Sequence, residues 1–192
     1  MYKFSVIIFI AITSNSFGQN VEFPIDQTGK YSFTDIVDLK GMSKDQLFKN
    51  GEIFIKAIKV LHSNTKLYSA DKVNYQIFNR GSFYVYRLGS LKKAIAGAVE
   101  YDITLELKND KYRYTISNFL FNEYKKNRYG KSEPIKGKYI PLEREASSWN
   151  KKEWEKQKEV VFEKTEELIV NLNGEMIYAE KNNKKQKKEK EW

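Results

Sequence analysis

The residues able to do chemistry are few and poorly spaced for catalysis. A single histidine, His62, and no cysteine occur in 192 residues. That excludes disulfides, thiolate nucleophiles, thiolate metal sites and a lipid-modified cysteine. It also leaves one imidazole for zinc or proton-relay work. His62 falls at the end of a predicted helix, where the negative helix terminus favours it. The nearest approaches to paired carboxylates are Asp35 with Asp38 and Glu143 with Glu145. Glycoside hydrolysis needs two carboxyl groups across a cleft, one of them with a raised pKa, whereas close acids on a strand end or loop are ordinary surface. No G-x-S-x-G elbow, P-loop, G-x-G-x-x-G, H-E-x-x-H or EF-hand pattern is present. Nothing in these residues argues for an enzyme, and no catalytic residue, cofactor or metal ligand set is assigned.

The elements that must carry any binding site begin after an export signal. Lys3, an apolar run over 4–12 and the small–large–small Ser16-Phe17-Gly18 have the layout of a secretory leader cut after Gly18. The run is too short for the ~20 apolar residues that span a bilayer, and no later segment qualifies. The expectation is therefore a mature chain of 19–192, periplasmic or extracellular, not a lipoprotein. Its hydrophobic share of 41% supplies a core, which argues against wholesale disorder.

The net charge of +9 invites a nucleic-acid reading, but its distribution argues against one. Residues 125–138 carry six basic groups and one Glu, and 180–192 carry six Lys and three Glu. Apart from Lys3, these two stretches account for the whole excess. They read as a long basic loop (122–149, with Pro134, Pro141 and three tyrosines) and a solvated, disordered tail (180–192).

Between signal and tail the patterning predicts one α+β domain over 19–179. An antiparallel strand spans 30–39, with Tyr31 and Phe33 inward and then a phase change to Ile36, Val37 and Leu39. Ser43 and Gln46 form a capping box, with Met42 and Leu47 as a staple, at the start of a helix over 44–61. Its stripe of Leu47, Gly51, Phe54, Ile58 and Leu61 recurs at helical spacing. Gly51 costs about 1 kcal/mol there relative to Ala, so close packing or a weakened helix is expected. Asn79-Arg80-Gly81 reads as the turn of a hairpin joining 73–78 to 83–88.

The best-determined unit is the next hairpin. Val99, Tyr101, Ile103, Leu105 and Leu107 alternate with polar residues, as do Tyr112, Tyr114 and Ile116 after Asn109-Asp110. A two-residue type I′ turn there pairs Lys108 with Lys111. Leu107 then faces Tyr112, Leu105 faces Tyr114, and Glu106 faces Arg113. A one-residue slip would mix the two faces. Segment 138–142 has the makings of a short strand. A last helix runs from Asn150, capped with Glu153 and stapled by Trp149 and Trp154, to Asn173-Gly174. Its stripe is Trp154, Val161, Leu168 and Leu172.

The order β-α-β-β-β-β-α, the opening PIDQTGKYSFTDIVDLKGMSKDQLF and the strand pair ending LELKNDKYRYTISNF resemble an exported bacterial family, domain of unknown function 4468. The shared features are Pro24 and Gly29 before the first strand, Ser43-Lys44-Asp45 at the first helix, and 108–114 around the turn. The likeness covers 24–122. It implies a TATA-box-binding-protein-like fold, a curved antiparallel sheet with two helices on one face, and it carries no catalytic residues.

A sheet covered on one side leaves the other free. Glu100, Asp102, Glu106 and Arg113 are the candidate binding residues of that face. Its mixed charge suits a protein or glycan partner in the envelope and repels nucleic acid. Two alternatives stand beside it: a carboxylate-based hydrolase, and a binder of anionic envelope polymers through Lys125, Lys126 and Arg128. The leader is directly testable. Mass spectrometry of the exported protein should find Gln19 as the first residue, and an intact Met1 would end that reading.

Overall fold

Strand β4 (Ile95–Lys108) pairs with β5 (Lys111–Lys126) in the register that the alternation demands. Leu107 lies opposite Tyr112, Leu105 opposite Tyr114 and Ile103 opposite Ile116, while Glu106 faces Arg113, Thr104 faces Thr115 and Asp102 faces Ser117. The first six of these are buried. This computed structural model describes residues 21–59, 61, 67–87, 94–145 and 151–190, so His62, the signal, Trp149 and Asn150 lie outside the described residues.

The turn between β4 and β5 is not type I′, which needs positive φ at both central residues; only Asp110 has it, at 65°. Docking sets its shape. The Leu39 N–H donates to the Asp110 carbonyl at 2.6 Å, and the Gly41 N–H to Asp110 Oδ1 at 2.7 Å. The Lys44 N–H donates to Asn109 Oδ1 at 2.9 Å. The turn thus helps to cap helix α1 (Lys44–Ala57), beside Ser43, whose hydroxyl accepts from the Gln46 N–H at 3.3 Å.

The remaining elements are β1 (Ser32–Asp38), β2 (Ser69–Asp71), β3 (Gln76–Tyr86), β6 (Ser132–Pro141) and α2 (Lys151–Lys190). The sheet is antiparallel, in the order β2-β3-β4-β5-β1. Long β5 takes β1 along 111–117 and β6 along 120–126. Leu47 and Ile55 of α1 join Val161, Leu172 and Met176 of α2 in one core with Ile77, Leu105 and Ile116. The Asn50 side chain donates to the Met176 carbonyl at 3.1 Å. The Tyr112 hydroxyl donates to Asn173. A Cβ on Gly51 would fall 3.0 Å from Leu105, 3.2 Å from Ile77 and 3.8 Å from Met176. Close packing is therefore the reason for a glycine inside α1.

Several expectations are corrected. Residues 79–81 are not a turn: they lie inside β3, and the hairpin turn comes earlier, at 72–75, where the Asp71 carboxylate accepts from the Val73 and Asn74 N–H groups. Gly81 marks a crossing, since a Cβ there would sit 2.4 Å from the Tyr101 ring and 2.8 Å from Ile58. The predicted loop of 122–149 contains the last five residues of β5 and all of β6, giving one strand more than expected. The basic, polar side chains hide the strand because that hairpin is mostly exposed. No phase change interrupts β1: Phe33 is buried and Val37 partly buried, while Ile36 stands 56% exposed on the opposite face.

The first helix ends at Ala57 rather than 61, because the chain then runs beside β3: the Ser82 N–H donates to the Lys59 carbonyl at 3.1 Å. The last helix passes Gly174, held by buried Met176, and its backbone continues to Lys190, where a disordered tail was expected. Lys, Glu and Gln are good helix formers.

These glycines separate two effects. Gly81→Val should lower stability by about 1–3 kcal/mol through overpacking. Gly174→Ala, which meets nothing within 4 Å, should raise it by about 0.5–1 kcal/mol. Urea unfolding midpoints check both; an unshifted Gly81→Val midpoint would contradict the crossing.

Candidate functional site

The uncovered face of the sheet is shaped by a β-bulge. Asp102 pairs with Ser117 but Glu100 pairs with Leu120, so Asn118 and Phe119 share the space opposite Tyr101. Asn118 takes a positive φ of 56°, which Asn tolerates better than most residues. Phe119 turns into the core, and the Asn118 amide donates to Asp102 Oδ2 at 2.8 Å. Bulges commonly re-aim side chains in this way next to functional sites.

Asp102 is also gripped by Arg80 from β3. Nε donates to Oδ1 at 2.6 Å and Nη2 to Oδ2 at 3.1 Å, with both side chains about a fifth to a quarter exposed. This is the bidentate fork that makes Arg–carboxylate pairs directional. The Asp102 carboxylate raises the Arg80 pKa, and Glu100 and Tyr139 add smaller contributions, which puts those two groups close to the pair. Tyr84 of β3 meets Tyr124 edge-to-face at 5.9 Å. Burial pushes the Tyr124 hydroxyl pKa up, reinforced by Tyr84, Glu100 and Tyr139, so it stays a neutral phenol. Asn122, 6% exposed, pairs across the strands with Tyr139, which is 48% exposed. One half of the face therefore gathers Arg80, Tyr84, Asp102, Asn118, Asn122 and Tyr139.

The other half is simpler. Glu106 Oε2 accepts from the Arg113 Nε, and Oε1 accepts from the Gln76 amide at 3.3 Å. The Arg113 hydrogen bond holds the Glu106 carboxyl below its ordinary 4.5, against a smaller opposing effect of burial.

Of the residues proposed from sequence, Glu100, Asp102, Glu106 and Arg113 share this face, but they form two groups. Asp102 is bound by Arg80, and Glu106 by Arg113. Lys125 and Lys126 lie at the far end of β5, with Arg128 just beyond on the hairpin. Arg113 and Lys125 are roughly 40 Å apart at about 3.3 Å per residue, so the basic residues are a separate feature. Both acid pairs noted in the sequence have structural neighbours. Glu143 accepts from the Tyr31 N–H at 2.8 Å, and Asp35 from the Ile36 N–H at 2.7 Å. Among the described residues no group of His, Asp or Glu could hold a metal ion, and no helix is long and apolar enough to cross a membrane.

The comparisons agree with this geometry. Residues 33–122 match the family model of a domain of unknown function (DUF4468) with TBP-like fold. This segment is DUF4468-like. The fold is similar to that of a TBP-like protein from Parabacteroides distasonis ATCC 8503, with 18% identity, a TM-score of 0.59, and coverage of 80% of this chain and 96% of that one. It is also similar to a DUF4468 family protein from Bacteroides ovatus ATCC 8483, with 13% identity, a TM-score of 0.53, and coverage of 78% and 89%. At these identities the likeness speaks for the fold alone. No curated protein matches the chain.

Arg80, Tyr84, Asn118, Asn122 and Tyr139 escaped the sequence reading. Placing a turn at 79–81 hid Arg80 and Tyr84. The alternation of β3 through Gly81 was the available signal. Asn118, Asn122 and Tyr139 needed the bulge and the β5–β6 pairing.

The lowered Glu106 pKa gives a pH-dependent prediction. A carboxyl whose folded value lies below its unfolded value stabilises fully above the unfolded value and loses that effect as pH falls through the folded one. Wild type should therefore exceed Glu106→Gln in stability at neutral pH, and the gap should close on acidification below 4.5. Urea titrations across that range measure it; a gap that widens with acid would reverse the assignment.

Proposed function

We propose that this chain is an exported, non-catalytic envelope domain whose open sheet face binds a glycan. The observation carrying this reading is the gathering of Tyr84 and Tyr139 around the Arg80–Asp102–Asn118 network on a face that neither helix covers. Tyr139, which is exposed, and half-buried Tyr84 offer flat amphipathic rings, suited to the apolar side of a sugar. The network offers donors and acceptors whose geometry is already set, which reduces the ordering lost on binding. Asn122 Oδ1 is buried with no hydrogen-bond partner among the described residues, and a buried acceptor of this kind calls for a donor from water or a ligand.

The charges support a neutral or weakly charged ligand, since Asp102 and Glu106 are each matched by an arginine. Nucleic acid would need an unmatched basic surface there. A hydrolase needs a carboxylic acid held protonated, whereas Arg113 pushes Glu106 the opposite way.

A panel of neutral and acidic oligosaccharides, screened against the purified mature chain, tests the proposal. Binding should weaken about tenfold in Tyr139→Ala and in Tyr84→Ala and survive Lys125→Ala. Capture of a protein that depends on the same tyrosines would move the face to protein recognition. Glycan binding indifferent to both tyrosines would remove the face from the function.

A further inference from the structure

On the helical side of the same sheet lies a recess of about 460 Å³ between the first turns of α2 and the ends of β4, β5 and β6. That size is within the roughly 300–1,000 Å³ of small-molecule sites. Its floor is Ala96, Phe121 and Trp154, all buried, with Gln157 beside them. The Trp154 indole packs edge-to-face on Phe121 at 5.6 Å and donates from Nε1 to the Arg144 carbonyl at 2.9 Å. The floor is thereby tied to the rim. Phe121 can occupy this position because residue 97 is glycine: a Cβ there would fall 2.5 Å from the Phe121 ring and 2.4 Å from the Asn122 carbonyl.

The rim carries charge of both signs. Lys138 and Glu123 bind one another. Arg87, Arg144, Glu145 and Glu153 also line the recess, and none of them forms an ion pair with another described residue. We propose that this recess binds a small zwitterion, a free amino acid or the end of a short peptide. An arginine fork matches a carboxylate, a glutamate matches an ammonium, and the aromatic floor takes the apolar remainder. An anion alone would meet two arginines but also two repelling carboxylates, and a cation alone two glutamates but also two repelling arginines.

The Trp154 indole N–H resonance of ¹⁵N-labelled mature protein reports on the floor directly. L-alanine and the dipeptide Ala-Ala serve as zwitterionic probes, with propionate and isopropylamine as single-charge controls. The expected result is a saturable indole shift with at least one zwitterion and binding about tenfold weaker or more for both controls. The comparison of alanine with Ala-Ala tells a free amino acid from a peptide end. Arg144→Gln and Glu153→Gln should each weaken binding about tenfold, while Glu166→Gln, elsewhere on α2, should leave it unchanged. The amide spectrum verifies that each variant is folded. No saturable shift up to about 10 mM of either zwitterion would overturn the proposal, as would propionate binding as tightly as alanine.

Discussion

The register between β4 and β5 is what the two faces of this protein depend on. Side chains alternate with a period of two, so a slip of one residue would drive Glu106 and Arg113 into the core and put Leu105 and Tyr114 in water. The turn at Asn109-Asp110 holds that register from outside the hairpin. Its side-chain and backbone oxygens accept from Leu39, Gly41 and Lys44, so the same contact fixes the strand pair and starts α1. Burying Leu105, Tyr112 and Ile116 under the helices then follows, and so does the uncovered opposite face.

On that face, electrostatics is local. Arg80 with Asp102 and Arg113 with Glu106 neutralise one another across strands, and the chain's positive excess stands on the β5–β6 hairpin and beyond. An exposed pair such as Arg113 with Glu106 adds little stability. The larger effect of both pairs is to hold donors and acceptors in fixed directions. The bulge at Asn118 serves the same end, diverting one amide toward Asp102 while sending Phe119 into the core. The helical side differs, because its recess lines an aromatic floor with arginines and glutamates that form no ion pair with another described residue.

Elements with strong alternation and a half-buried surface were legible in the sequence. The β4–β5 pairing came out residue for residue, and so did the Ser43 cap and the burial of Trp154, Val161 and Leu172. Errors arose where one residue type serves two physical purposes. Gly81 looked like a turn glycine, yet it is small because Tyr101 crosses it. The basic, proline-containing segment 122–149 looked like a loop because an exposed edge hairpin has little buried side to impose alternation. Glu100, Asp102, Glu106 and Arg113 share one face of the sheet as the alternation implied, but the partners Arg80 and Gln76 come from another strand.

By itself the amino-acid sequence determined which side chains of each well-patterned strand share a face, and hence that one side of the sheet would be dry and the other wet. Periodicity is a property of consecutive residues and survives without knowledge of any neighbour. Only the tertiary structure decided that Arg80 meets Asp102, that Tyr139 stands beside Asn122, and that Phe121 and Trp154 floor a recess rimmed by charges of both signs. Those contacts join residues far apart in the chain. They depend on bulges, glycine crossings and helix placement that no local pattern encodes.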